Sequence, residues 1–199
     1  MAITKVLITV KTYPTISAKY DELVCTAGFR EDGTWVRIYP VPFRKRSYTK
    51  QYRKYDWIEL DLVKNTSDFR PESYRPATLE SEINVVGHVG TLSNWEERKK
   101  LCLGKVYYSL SEIIREAKDK KICSSLAVFK PTEILDFYDE SVERNWSQKK
   151  LNTLSQLNLF ETNEKGEFEV VKKLPYKFKF RFKDNQGKES NMMIEDWET

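Results

Sequence analysis

The chain has 199 residues, a net charge of +4 and 13% aromatic residues, a composition typical of a globular protein with a heavy aromatic content. Its three cysteines, Cys25, Cys102 and Cys123, are far apart, which excludes a disulfide framework and a zinc-binding spacing. No apolar run is long enough for a membrane span, and the start of the chain lacks a signal-peptide pattern. We therefore expect a reduced, cytoplasmic protein without a membrane partner.

The first part of the chain, residues 1–92, has the pattern of a small β unit. Apolar and β-branched runs predict strands at residues 5–12, 22–29, 34–39, 55–63 and 81–89. An Asp-Gly pair between the second and third runs predicts a hairpin. Short antiparallel strands at this density are typical of a small barrel or sandwich, and an OB-like barrel falls in that range.

Residues 93–122 are predicted to form a helical bridge. Ser93-x-x-Glu96 and Ser109-x-x-Glu112 both fit a capping box, in which a serine and a glutamate close the first turn of a helix. We expect the first helix over 94–102, ended by Gly104, and the second directly after Ser109.

Residues 123–199 predict a second β unit that contains one helix. Strands are expected at 126–129, 132–137, 167–171, 176–183 and 190–197, and leucine spacing predicts a helix over 147–160. The predicted fold class is thus α+β, mainly β: two small OB-like antiparallel β units bridged by short helices.

The segment Tyr176–Lys183 alternates four aromatic rings with four cations. Because side chains of a strand point alternately to opposite faces, this segment predicts one aromatic face and one cationic face. Leu174 continues the aromatic register, and Met192 or Ile194 on the next strand can pack there. We therefore expect the rings to face the core and the cations to be available for recognition.

Two basic patches stand out in a nearly balanced chain. Seven cations and no carboxylate lie between residues 36 and 55, and six cations and no carboxylate lie between 170 and 183. Arginine stacks on rings and binds phosphate through two donors, and aromatic rings stack on bases. The candidate nucleic-acid-binding residues are Arg37, Tyr39, Arg44, Lys45, Arg46, Arg53, Lys177, Lys179, Arg181 and Lys183.

Catalytic chemistry has little support in the sequence. His88 is the single histidine, and no phosphate-binding glycine loop or nucleophile elbow is present. Glu195, Asp196 and Glu198 are clustered carboxylates of the kind that bind magnesium, but alternation along a strand would place the first two on opposite faces. We predict no catalytic residue, no metal and no cofactor.

Three segments carry a family resemblance: KTYP at 11–14 with Tyr20, ELVCTAGFREDGTWVRIYPVPFR at 22–44, and KYDWIELDL at 54–62. With LPYKFKFRFKDNQGKES at 174–190 and MMIEDWE at 192–198, the chain resembles the dual OB-containing domain family of uncharacterised prokaryotic proteins. The resemblance implies two OB units, single-stranded nucleic acid as partner, and a setting of mobile elements and phage conflict. It also implies a shortened member, since relatives continue past the Asp-Trp-Glu element.

Three functions therefore stay open at the level of sequence. The leading hypothesis is a non-catalytic module that binds nucleic acid, single-stranded DNA or RNA more than duplex. The second is a protein-interaction or self-association component, in which the aromatic strand offers a sheet edge to a partner. The third is a metal-dependent enzyme on nucleic acid or nucleotides that uses Glu195 or Asp196.

Overall fold

A computed structural model describes residues 2–17, 21–47, 50–152 and 171–198. The first half contains β1 (Ala2–Lys11), β2 (Thr15–Ser17), β3 (Asp21–Phe29), β4 (Trp35–Val41), β5 (Asp56–Lys64), β6 (Ser73–Pro76), β7 (Ile83–His88) and α1 (Leu92–Cys102). The second half contains β8 (Val106–Tyr107), α2 (Leu110–Lys118), β9 (Val128–Phe129), β10 (Glu133–Ser141), β11 (Tyr176–Lys183) and β12 (Glu189–Ile194). The prediction of an α+β, mainly β protein is confirmed.

Five strands close into a barrel in the first half of the chain. Going round, β1 pairs with β3, β3 with β4, β4 with β6, β6 with β5, and β5 with β1. The β4–β6 pairing is parallel and the other four are antiparallel. Strand β2 is added beside β3 and β7 beside β5. This closed barrel is compatible with an OB-like fold.

Alternating apolar side chains fill the barrel. In β5 the buried positions are every second residue, from Asp56 through Leu62, as a period of two requires for one inward face. A glycine is needed at position 28, where β3 pairs with β1, because a Cβ there would lie 1.8 Å from the carbonyl oxygen of Leu7. The buried core cluster contains Val6, Ile8, Val24, Val36, Ile38, Val41, Phe43, Tyr52, Ile58, Leu60, Leu62 and Ile83.

The strands that the sequence predicted in the barrel are present with shifted ends. Strand β4 continues through Pro40 to Val41, beyond the predicted end at residue 39. Strand β6, which closes the barrel, was missed, because four residues that end in proline carry almost no strand signal.

The capping-box prediction is wrong for the start of α1 and gives the correct N-cap residue for α2. Helix α1 has Thr91 as its N-cap, and Ser93 has a positive φ of 50°, so the predicted box at Ser93 is wrong. Ser109 is the N-cap residue of α2, as predicted, but its side chain makes no capping hydrogen bond. Asp184, at the end of β11, instead accepts the N–H of Leu110 at 3.2 Å.

The C-terminal unit contains a three-stranded antiparallel sheet in the order β10–β11–β12. The predicted helix over 147–160 and strand over 167–171 lie mostly outside the described residues. Within the described part of the chain, no helix has the length and apolar character needed to cross a membrane.

The rings of β11 do not face a core as a set, which corrects the sequence prediction. Phe182 is buried and Phe180 is half-buried, but Tyr176 and Phe178 are 42% and 37% exposed. Phe137 of β10, paired with Phe180, is 56% exposed. Within the described part of the chain, the outer end of this face is therefore open to solvent.

Candidate functional site

The outer face of β4 carries two of the predicted recognition residues. Val36 and Ile38 point into the barrel and are fully buried, so Arg37 and Tyr39 point outward. Tyr39 is 37% exposed. The guanidinium carbon of Arg37 lies 5.9 Å from the centre of the Tyr39 ring, within the range of a cation–π contact.

Arg37 belongs to a charged cluster with Asp68 and Arg70. Its Nη1 donates to Asp68 Oδ2 at 3.4 Å, and its Nε donates to Cys25 Sγ at 3.3 Å. Arg70 donates to the same carboxylate from Nε at 2.8 Å. Two guanidinium groups therefore share one carboxylate, so these three side chains together carry one net positive charge, and the buried carboxylate of Glu72 also acts on Arg70.

Hydrogen bonding keeps Asp68 ionised. The side chain of Arg70 and then the hydroxyl of Ser73, which donates at 2.7 Å, hold the pKa of the Asp68 carboxyl well below its usual range. The ionised carboxylate of Asp68 therefore orients the side chains of both Arg37 and Arg70.

The loop from Asn65 to Glu72 lies beside the outer face of β4. The N–H of Arg37 donates to the carbonyl of Glu72 at 2.8 Å, and Arg37 is aligned with Ser73 in the parallel pairing. The loop also presents Phe69, which is 83% exposed. Sequence reasoning missed this loop, whose single signal is an aromatic residue between two charges in a polar stretch.

Arg44 and Arg46 follow β4 but are engaged in structural contacts. Arg44 Nη1 lies 2.7 Å from the carboxylate of Glu22, which is nearly buried. Burial raises the pKa of Glu22, and the charge of Arg44 partly opposes that effect. Arg46 Nη2 donates to the carbonyls of Ser81 and Leu79, at 3.0 and 3.4 Å.

Lys45 and Arg53 complete the first basic patch. Lys45 is exposed. Arg53 has a 72% exposed side chain whose Nε lies 3.9 Å from Asp56 Oδ2. Among the predicted cations of the barrel, Arg37 is the one that the fold places next to an exposed predicted ring.

The four cations of β11 face carboxylates of β10. Lys179 pairs with Glu140 at 2.6 Å and Lys183 with Glu133 at 3.3 Å. The remaining two, Lys177 and Arg181, are exposed and aligned with Glu140 and Asp136 across the sheet. The cationic face predicted for recognition is therefore largely matched by acidic neighbours, which lowers its attraction for phosphate.

His88 and the carboxylate of Asp196 have structural partners. His88 Nδ1 lies 2.7 Å from Oδ1 of Asp56, which is buried. Asp196 pairs with Lys54 at 3.3 Å. Among the described residues, no group of three or more histidine, cysteine or carboxylate side chains is arranged to hold a metal ion.

Two family models cover the chain. The first, described as "Domain of unknown function (DUF8758)", matches residues 2–104 and contains the barrel. The second, described as "Domain of unknown function (DUF8757)", matches residues 106–199. No curated protein and no solved structure matches the chain. Since the first model spans more than half of the sequence, the chain belongs to the DUF8758 family.

Proposed function

We propose that the barrel binds single-stranded nucleic acid on the outer face of β3 and β4 and on the loop Asn65–Glu72. The observation that carries the proposal is the cluster of Arg37 and Arg70 on one carboxylate, beside the exposed ring of Tyr39 and in the same loop as the exposed Phe69. One positive charge beside stacking surfaces suits a phosphate that is flanked by unpaired bases.

The place of this cluster in the fold supports the proposal. In OB-like barrels, the second and third strands and the loops after the first and fourth strands bind oligonucleotides. Counted along the barrel, β3 and β4 are the second and third strands, and the loop Asn65–Glu72 follows the fourth.

Single strands fit this surface better than a duplex. Exposed rings stack on bases only where the bases are unpaired, and the described surface offers two rings rather than a long basic stripe. The resemblance to a dual OB-containing family agrees with the barrel half. The second OB unit and a role in phage conflict are proposals that rest on the resemblance.

The test is a filter-binding panel of single- and double-stranded DNA and RNA at two salt concentrations. Removing a stacked ring costs about 1–3 kcal/mol per base, so Phe69→Ala and Tyr39→Ala should each weaken single-strand binding about 5- to 150-fold. Phe137→Ala is the matched control, because Phe137 is a similarly exposed ring on the other unit. Binding should also weaken with salt, since counterions are released from phosphate.

Three results would refute the proposal. One is equal affinity for heparin and oligonucleotides, which would indicate simple charge attraction. The second is an affinity that Phe69→Ala and Tyr39→Ala leave unchanged. The third is a larger loss with Phe137→Ala than with either of them.

A protein-interaction role is the second candidate, and the ring face of the C-terminal sheet favours it. By register, the described residues on this face of β10, β11 and β12 include no lysine or arginine. Its exposed apolar members are Ile134, Phe137, Tyr176, Phe178 and Met192. A protein that ignores nucleic acid and scatters light as a stable oligomer would support this candidate instead.

A further inference from the structure

Residues 195–198 lie along the end of the barrel, joined to it by an isolated β-bridge. The N–H of Tyr13 donates to the carbonyl of Glu195 at 3.0 Å, and the N–H of Trp197 donates to the carbonyl of Lys11 at 2.7 Å. Between them, Thr12 and Asp196 form an antiparallel bridge. The C-terminal unit thus extends a segment that pairs with the barrel through its main chain.

An aromatic pocket receives the ring of Trp197. Its centre lies 5.4 Å from that of Phe43 and 5.9 Å from that of Tyr13, and both contacts are edge-to-face. The ammonium of Lys11 lies 5.1 Å from the Trp197 ring. Trp197 also packs against the buried core of the barrel, so the pocket is continuous with the interior.

Two lysines receive the carboxylates on either side of Trp197. Lys11, only 4% exposed, pairs with Glu198 and donates to the carbonyl of Tyr52 at 3.1 Å. Lys54 pairs with Asp196 at 3.3 Å, and its N–H donates to Glu198 at 3.0 Å. We call this surface the end groove, formed by Lys11, Tyr13, Phe43, Tyr52 and Lys54.

We propose that the end groove is a peptide-binding surface for an acidic–aromatic segment of the form Asp-Trp-Glu. Residues 195–198 occupy it within the chain, and a partner protein that presents the same chemistry exchanges with them. Each element of recognition is one that an external strand supplies equally well: two main-chain hydrogen bonds, one indole and two carboxylates.

The geometry favours a peptide over a nucleic acid. Lys11 is buried and pairs with the carboxylate of Glu198. The residue before it, Trp197, is hydrogen-bonded to the barrel through its main chain. The groove's carbonyl and N–H at Lys11 and Tyr13 match the spacing of a strand, which a sugar–phosphate backbone lacks. Lys11 is 4% exposed with residues 195–198 in place, and an occupant that covered it without a carboxylate would leave a buried charge uncompensated, so the groove favours an acidic occupant.

The experiment empties the groove in the full chain and offers the segment from outside. The variant carries Asp196→Asn, Trp197→Ala and Glu198→Gln, and its folding is checked by circular dichroism. The probe is a fluorescent synthetic peptide of residues 191–198, titrated up to about millimolar concentration and followed by anisotropy. A tethered segment competes at a millimolar effective concentration, so the variant should bind the probe about tenfold or more tightly than the wild type does.

The controls distinguish specific binding in this groove from nonspecific binding of the probe. A probe with alanine in place of tryptophan should lose binding, and adding Lys11→Met to the variant should also remove it. Glu198→Gln alone is the milder second variant, and it should give probe binding between that of the wild type and the triple variant.

Three outcomes would overturn the proposal. A folded variant that does not bind the probe would do so, as would equal binding of the tryptophan-free probe. So would a single-stranded oligonucleotide that binds the emptied groove in place of the peptide and is lost with Lys11→Met.

Discussion

The hydrogen bond between Tyr52 and Thr26 allows a quantitative test of the barrel interior. The two hydroxyl oxygens lie 2.5 Å apart, and the residues are 1% and 0% exposed. Burial raises the pKa of Tyr52, with the bond to Thr26 acting against it, so the phenol stays protonated at neutral pH. Tyr52 comes from the long connector between β4 and β5, which this bond holds against the core.

The expected energies follow from which group is left without a partner. Tyr52→Phe leaves the buried Thr26 hydroxyl unpaired, and Thr26→Val leaves the buried phenol unpaired, so each should cost about 1–3 kcal/mol of unfolding free energy. The double variant replaces both hydroxyls by apolar groups of similar shape and should cost less than the sum of the two. The coupling energy of the cycle should be about 1 kcal/mol or more.

Urea unfolding of the four proteins, followed by circular dichroism, measures this cycle. In a protein of this size, each 1 kcal/mol also lowers the melting temperature by about 2–4 °C. Additive losses in the double variant would refute the reasoning, because they would mean that the two hydroxyls do not depend on each other.

Two further predictions concern the candidate site and the barrel. Because Arg70 keeps the pKa of Asp68 low, the stabilisation from Asp68 is present above about pH 4 and is lost as the pH falls below that value. The unfolding free energy of Asp68→Asn should therefore be about 1–3 kcal/mol lower than that of the wild type at pH 7. Unfolding curves measured at acidic pH should show a smaller difference between the two proteins. A difference that stays constant with pH would contradict the assigned cause. Gly28→Ala places a methyl group against the carbonyl of Leu7, so the variant should not form the folded barrel. Circular dichroism and thermal melts measure this loss. A stable variant would mean that β1 and β3 can separate at this position.

The barrel strands were predictable because their signal is local. The alternation in β5 and the Asp-Gly turn between β3 and β4 depend only on neighbours in the chain, so the main strands and the hairpin appear where the sequence places them. Closure depends on β6, whose parallel pairing with β4 joins residues 37–38 to residues 73–74. No local pattern encodes such a pairing.

The candidate site was half predictable for the same reason. Arg37 and Tyr39 share a strand face, which a period of two reveals. Asp68, which pairs with Arg37, and its neighbours Phe69 and Arg70 come from a loop whose position is set by the barrel, about 30 residues along the chain.

The alternating strand β11 shows most clearly the division between sequence and tertiary structure. Its sequence by itself determined two faces, one aromatic and one cationic, because a strand has a period of two. Tertiary structure decided which face is free: Lys179 and Lys183 meet carboxylates of β10, while Tyr176 and Phe178 stay open. The reason is physical, since a side chain's chemistry is local but its partners are set by cross-strand register and by the layers packed on the sheet.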